Sequence, residues 1–298
     1  MARSATAARR RQPTWGLWLM LAPYIVGMTV LWVLPALAAL PLALTDYDAL
    51  SSPRWVGAAN LAALVSDEIF HTSVFNSLLY VVLAVPLRLL GALGIGLLLT
   101  RKLWSGGPLR ALFYLPTVVP DVAWALVWLW LLNPLFGPIN GLLRLVGVVG
   151  PAWMVDPWGA RFGIVLMMVW QIGEGLVVCL AALSDVPGET IEQAAVDGAS
   201  PWQTVRTVTL PLIAPALLIL LCRDTILSLQ ANFVPALILG NGGGPNYATT
   251  FLPMYAYDLA FEDFRFGYAA AVTWAMAALT ALLLLVQFRV ARRWSTSL

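Results

Sequence analysis

The chain carries one histidine, His71, and two cysteines, Cys179 and Cys222. A lone imidazole argues against an ordinary zinc or haem site, and no serine-triad constellation is recognised around it. Both cysteines fall inside apolar runs, so neither a disulfide framework nor a redox pair is expected. Charge is scarce as well, at 11% of residues, and no carboxylate pair stands at a spacing suited to acid–base work. Covalent chemistry by this chain is therefore not expected, and no metal or catalytic residue is assigned. What abounds is apolar surface: 60% of residues are hydrophobic and the mean hydropathy is +0.83. A soluble domain could not bury that much, so the expected class is an all-α integral membrane protein.

Residues 1–16 hold Arg3, Arg9, Arg10 and Arg11 with no acidic residue and read as a basic cytoplasmic arm. A transmembrane domain follows over 17–293, with a short tail at 294–298. Its first span, 17–44, is far longer than the core of a signal peptide, so it is read as retained. Further spans are expected at about 76–100, 111–132, 162–183, 212–231 and 266–288, six in all. Basic residues test the orientation. Eleven fall in the four segments assigned inside, and four (Arg54, Arg144, Arg161 and Arg265) fall outside or at its edge. That asymmetry places both termini in the cytoplasm of a multi-pass cytoplasmic (inner) membrane protein.

The polar stretch 187–211, PGETIEQAAVDGASPWQTVRTVTLP, separates two strongly apolar runs on the inner side. Pro187 stops the first run. Ile191, Ala194, Ala195 and Ala199 then give a short helix one small apolar face, Gly198 ends it, and Ser200-Pro201 has the chemistry of a new helix start. The order Glu192-Gln193-Ala194, Gly198, Val208 and Leu210-Pro211, with Asp197-Gly198-Ala199 inside it, resembles the EAA loop of binding-protein-dependent ABC importer permeases of the maltose-transporter type. Gln193 stands where that family usually has alanine, and Val208 where it usually has isoleucine.

The resemblance implies a permease subunit of an ATP-driven importer. Its expected partners are the lipid bilayer, a second EAA-bearing permease, two ATPase subunits and an extracytoplasmic solute-binding protein; no nucleic acid is expected. ATP and Mg would be held by the ATPases and no cofactor by this chain. The ATPase-coupling residues would be Glu192, Gln193, Ala194, Ala195, Asp197, Gly198, Ala199, Leu210 and Pro211. By the same resemblance the cargo is a sugar or related polyol. A non-sugar solute such as glycerol phosphate or a polyamine is the rival, with a membrane-embedded transferase as the rival from another class.

Besides Asp121, next to Pro120 in the third, four charges stand inside the expected spans: Arg88, Glu174, Arg223 and Asp224. At mid-depth a lone charge costs at least about 2.5–3.5 kcal/mol, so interhelical pairing is expected, Arg88 or Arg223 with Glu174. As neighbours on one helix, Arg223 and Asp224 point apart and need partners on other spans. These four, with Gln230, Asn232 and Trp274, are the candidates for a solute path, against a duller reading in which the charges only clamp helices together. The glycine-rich run at 240–245 lacks the lysine and the preceding strand of a phosphate loop, and reads as a flexible outer loop. Tryptophans such as Trp15, Trp18, Trp55, Trp153 and Trp158 are assigned to the membrane interfaces.

Overall fold

The computed structural model describes residues 14–100, 107–230 and 233–295. Most of them are helical, because long apolar runs in a medium that cannot hydrate the backbone satisfy their N–H and C=O groups within a helix. Helix α1 (Thr14–Met28) passes through a π turn (Thr29–Val33) into α2 (Leu34–Leu42). The wider turn precedes Pro35, whose ring and missing N–H do not fit an α-helical interior. The helix starts inside the stretch expected to be arm, and residues 1–13 lie outside the described residues. None of the most apolar part of Trp15–Leu42 is buried against the rest of the chain.

The all-α expectation needs one correction. Strands β1 (Thr45–Asp46) and β2 (Arg54–Trp55) form a minimal antiparallel hairpin, with Asp46 opposite Arg54 and their side chains 2.6 Å apart. After α3 (Ala59–Ala63) comes the central helix α4 (Glu68–Leu99), which packs against later elements on several sides. It starts well before residue 76, because the Asp67 carboxylate caps it by accepting from the Phe70 N–H at 2.9 Å.

The expected third span is broken. Helices α5 (Gly107–Val118) and α6 (Asp121–Leu131) meet at 97°. Pro120 cannot donate its share of the helical ladder and drives the residue before it extended, so the bend falls there. A short helix α7 (Pro138–Leu145) follows. Helices α8 (Pro157–Val169) and α9 (Gly173–Ser184) then replace the expected fourth span and meet at 44°. The segment 187–211 holds α10 (Gly188–Val196) and α11 (Pro201–Thr204), and a π turn (Val205–Thr209) carries α11 into α12 (Leu210–Gln230). The fifth apolar helix thus begins at Pro201, not near 212. Helices α13 (Phe233–Gly240), α14 (Leu252–Phe261) and α15 (Phe266–Ser295) complete the chain.

Among the described residues four helical stretches are long and apolar enough to cross a membrane: Trp15–Leu42, Glu68–Leu99, Pro201–Gln230 and Phe266–Arg292. Counting each bent pair as one span gives six. The largest core cluster joins Tyr80 and Ala84 of α4, Trp128 of α6, Ile164 and Met167 of α8, and Leu239 of α13. Trp153 belongs to this cluster, with its Nε1 donating to Asn140 Oδ1 at 2.7 Å, so it is a core residue rather than an interfacial one. Trp15, Trp18, Trp55 and Trp158 are all exposed on the chain.

The 240–245 run is not a free loop. The Gly244 N–H donates to the Gly240 carbonyl at 2.6 Å and the Thr249 N–H to the Gly243 carbonyl at 2.9 Å. A Cβ at Gly240 would sit 1.8 Å from Thr249 Oγ1, a space only glycine leaves open. Asn76 pins this turn to the bundle. Its Nδ2 donates to the carbonyls of Tyr247 at 2.8 Å and Thr250 at 2.9 Å, while its Oδ1 accepts from Arg161 Nε at 2.8 Å.

Two expectations follow. Asn76→Leu removes the partner of two carbonyls at a buried position, and should cost about 1–3 kcal/mol of stability, read by thermal unfolding in detergent. Asp258, on α14, is pushed up to about 6 by burial and by the nearby Glu262 and Asp263. A carboxyl raised in the folded state contributes stability that is fully present below its unfolded value of 3.8 and is lost as pH rises through about 6. Asp258→Asn should therefore flatten the dependence of Tm on pH across that window.

Candidate functional site

Two sites emerge, one on the 187–211 segment and one between α4, α9 and α12. In the first, Pro187 precedes α10 in extended conformation, and the helix closes with both hydrogen bonds of a Schellman motif. The Gly198 N–H donates to the Ala195 carbonyl at 3.1 Å and the Ala199 N–H to the Ala194 carbonyl at 3.0 Å. Gly198 has φ +81° with no atom within 4 Å of a would-be Cβ, so the demand for glycine there comes from the left-handed backbone and not from crowding. A capping box then starts α11: Gln203 N–H reaches Ser200 Oγ at 3.4 Å and Ser200 N–H reaches Gln203 Oε1 at 2.7 Å.

Leu210 and Pro211 lie inside the continuing helix, with the π turn placed ahead of the proline as it is ahead of Pro35. The unit is therefore a short helix folded against the root of a long one. Ala194 and Ala199 are half-buried, whereas Glu192, Gln193, Ala195, Asp197 and Gly198 are exposed. Ile191, Val196 and Trp202 are exposed too, Val196 at 87% and Trp202 at 68%. With Glu189 also exposed, three carboxylates and three apolar side chains thus face outward on one small projecting element.

The second site gathers the intramembrane charges. Arg223 Nη2 of α12 bonds the Glu174 carboxylate of α9. Arg88, on α4, has another partner: its Nε lies 4.0 Å from Asp224 Oδ2, and its Nη2 donates to the Gln171 carbonyl at 3.1 Å. Although adjacent in sequence, Arg223 and Asp224 also touch, Nη1 to Oδ1 at 3.6 Å, because the long guanidinium arm bends back over the helix. Arg88 and Asp224 are buried, with side chains 13% and 7% exposed, whereas Arg223 and Glu174 reach the surface at 36% and 46%.

The remaining solute-path candidates separate. Gln230 is exposed at the end of α12, Asn232 lies outside the described residues, and Trp274 packs with Tyr255 and Leu259 of α14 in a different cluster. Gln171 takes part through its backbone carbonyl, which no side-chain pattern announces. Among the described residues no group of three or more His, Cys, Asp or Glu side chains is placed to hold a metal ion.

Residues 92–296 match the family model described as binding-protein-dependent transport system inner membrane component. The chain is 34% identical over 281 residues to a probable ABC transporter permease protein, YesP, of Bacillus subtilis (strain 168), covering 92% of this chain and 89% of that one. It is 30% identical over 280 residues to the lactose transport system permease protein LacF of Rhizobium radiobacter, covering 92% and 93%. A chain in the crystal structure of a bacterial ABC transporter involved in the import of the acidic polysaccharide alginate superposes with a TM-score of 0.76 at 26% identity, over 94% of this chain and 96% of that one. A multi-pass arrangement of apolar helices, an exposed helix–glycine–helix element and a match over most of the length agree: the chain belongs to the family of binding-protein-dependent transport system inner membrane components, a permease and not an enzyme.

Proposed function

We propose that this permease works in an ATP-driven importer and that α10 is its coupling helix. The observation that carries the reading is the exposed α10, closed at Gly198 onto the root of α12. Its outward Glu192, Ile191 and Val196 offer charge and apolar contact to a soluble partner, an ATPase that binds ATP and Mg. In this reading the chain crosses the cytoplasmic membrane six times with both ends in the cytoplasm, each bent pair serving as one span. Two ATPases bind beneath, and a binding protein delivers solute from outside. Closure of the ATPases on ATP pushes α10, and the continuous helix from Pro201 to Gln230 carries the push into the membrane.

A second permease bearing its own EAA loop would complete the pathway. Two features support it: the first span leaves its apolar face uncovered by this chain, and on the face of α12 bearing Arg223, Leu227 and Gln230 the last two are exposed and Arg223 is half-buried. These three stand at i, i+4 and i+7, beside Glu174 of α9. An ion pair facing hydrocarbon would be costly, so this face belongs against water or protein, along the solute path. Arg88 and Asp224 lie behind it as support. The cargo is a saccharide or related polyol, by similarity to the lactose permease. Binding a sugar panel to the cognate binding protein, followed by ATP-dependent uptake in proteoliposomes, tests that assignment.

Gly198→Leu forces a branched side chain into a left-handed backbone at a cost of about 1–2 kcal/mol. It should leave membrane insertion intact and lower uptake about tenfold, while Gly198→Asn, which tolerates that backbone, stays near wild type; wild-type uptake by an assembled Gly198→Leu complex would refute the coupling role. At the charge site, Glu174→Gln leaves Arg223 only its longer contact with Asp224 and an unbalanced positive charge, so assembled protein should fall about threefold and recover when Arg223→Gln is added, as size-exclusion yield of the complex would show.

A further inference from the structure

The intramembrane charges do more than cancel. The α8–α9 break falls at residues 170–172, where the Gln171 N–H donates to the Met168 carbonyl at 3.2 Å and the Ile172 N–H to the Trp170 carbonyl at 3.0 Å. These tight turns spend the local donors. The Gln171 carbonyl, in a residue only 9% exposed, is met by Arg88 Nη2 of α4. Hydrocarbon offers such a carbonyl no water, and a guanidinium is a strong replacement donor.

From Arg88 the contacts run on to Asp224, from Asp224 to Arg223, and from Arg223 to Glu174. Glu174 stands in the first turn of α9, three residues past Gln171. The path therefore leaves from one flank of the break and returns to the other. Its signs alternate and sum to zero, which is how four charges remain inside a membrane helix bundle. Packing at the break is by small groups. A Cβ at Gly91 would stand 3.5 Å from Ile172 and one at Gly175 3.3 Å from Ala92, so α4 and α9 approach closely there through positions that carry no side chain.

We infer that Gln171, Arg88, Asp224, Arg223 and Glu174 form a closed ring that sets the bend of the α8–α9 span and ties it to α12. Arg88 and Asp224 are thus positioning residues for transport, a role that goes beyond pairing and rests on the coupling reading only for what moves the ring. Asp224 and Arg223 ride on the helix that begins at Pro201, beside α10. Displacement of that helix shifts both, and through Arg88 and Glu174 it shifts both flanks of the break. A push at the cytoplasmic end then becomes a change of bend within the membrane.

The test uses the full transporter in proteoliposomes, with Cys179→Ala and Cys222→Ala and nitroxide labels at Phe162→Cys and Ala181→Cys, exposed positions on α8 and α9. Pulsed EPR reads the distance across the break. Without nucleotide, Asp224→Asn should broaden that distribution relative to the unmutated ring. Uptake should fall about tenfold while ATPase activity stays within about twofold, the mark of lost coupling rather than lost folding. Should Asp224→Asn not assemble, Arg88→Lys serves instead: it keeps the charge but cannot reach both Gln171 and Asp224, and the same broadening is expected.

An exchange provides the sharper discrimination. Glu174→Arg with Arg223→Glu would restore an isolated pair, but in a ring it sets a carboxylate beside Asp224, so uptake stays low. Recovery of wild-type uptake by that exchange, or an unchanged resting distribution in Asp224→Asn and Arg88→Lys, overturns the ring. Absence of any ATP-driven change in the unmutated ring would instead overturn the coupling reading, since the resting comparison needs no nucleotide.

Discussion

Hydrocarbon cannot hydrogen-bond, and each polar group carried into it must find its partner within the protein. Where the helices of this chain run unbroken the ladder answers that demand by itself. Where they break, other devices appear. The two π turns ahead of Pro35 and Pro211 widen the helix so that each proline is carried without a break. At the α8–α9 bend the device is a charged side chain from another helix, Arg88, and its charge in turn requires Asp224.

The same demand shapes the end of the bundle bearing Asn76. That one side chain serves the glycine-rich turn and Arg161 together, while Arg161 lies over the rings of Trp158 and Phe75 at 5.0 and 5.4 Å. The Asp67 carboxylate caps α4 and accepts from Tyr255 of α14, and from Tyr268 of α15 at 2.5 Å. Burial alone would raise that carboxyl; the hydroxyl and N–H donors outweigh burial and hold it below its ordinary value. Two short polar side chains thus tie α8, α14, α15 and a loop to α4, and a single substitution at either would loosen several elements together.

At the opposite end, the projecting helix and the long helix behind it are joined by geometry that leaves little slack. A Schellman closure ending at Ala199 runs directly into the capping box that begins at Ser200, so α10 and α11 hold a defined angle. Such a joint suits the rigid displacement that the proposed coupling requires. The continuity from Pro201 to Gln230 extends it to the depth of Arg223 and Asp224, where the apolar bundle becomes polar.

The membrane class, the approximate helix positions and the turn at Gly198 were all legible in the sequence, because each depends on neighbours within a few residues: a hydropathy window, a proline, a cap. The family resemblance lay in the same local order. Tertiary structure alone decided which charges meet, since Arg223 and Glu174 are 49 residues apart, Arg88 and Gln171 are 83 apart, and a backbone carbonyl carries no side-chain signature. It likewise decided the burial of Trp153 and the packing of the glycine-rich turn, which a composition rule assigns to interface and loop. The bends in α5–α6 and α8–α9 belong between the two. Pro120 marks the first locally, but the second has no proline at 170–172, and its carbonyl is satisfied only when α4 supplies Arg88 from the far side of the interface.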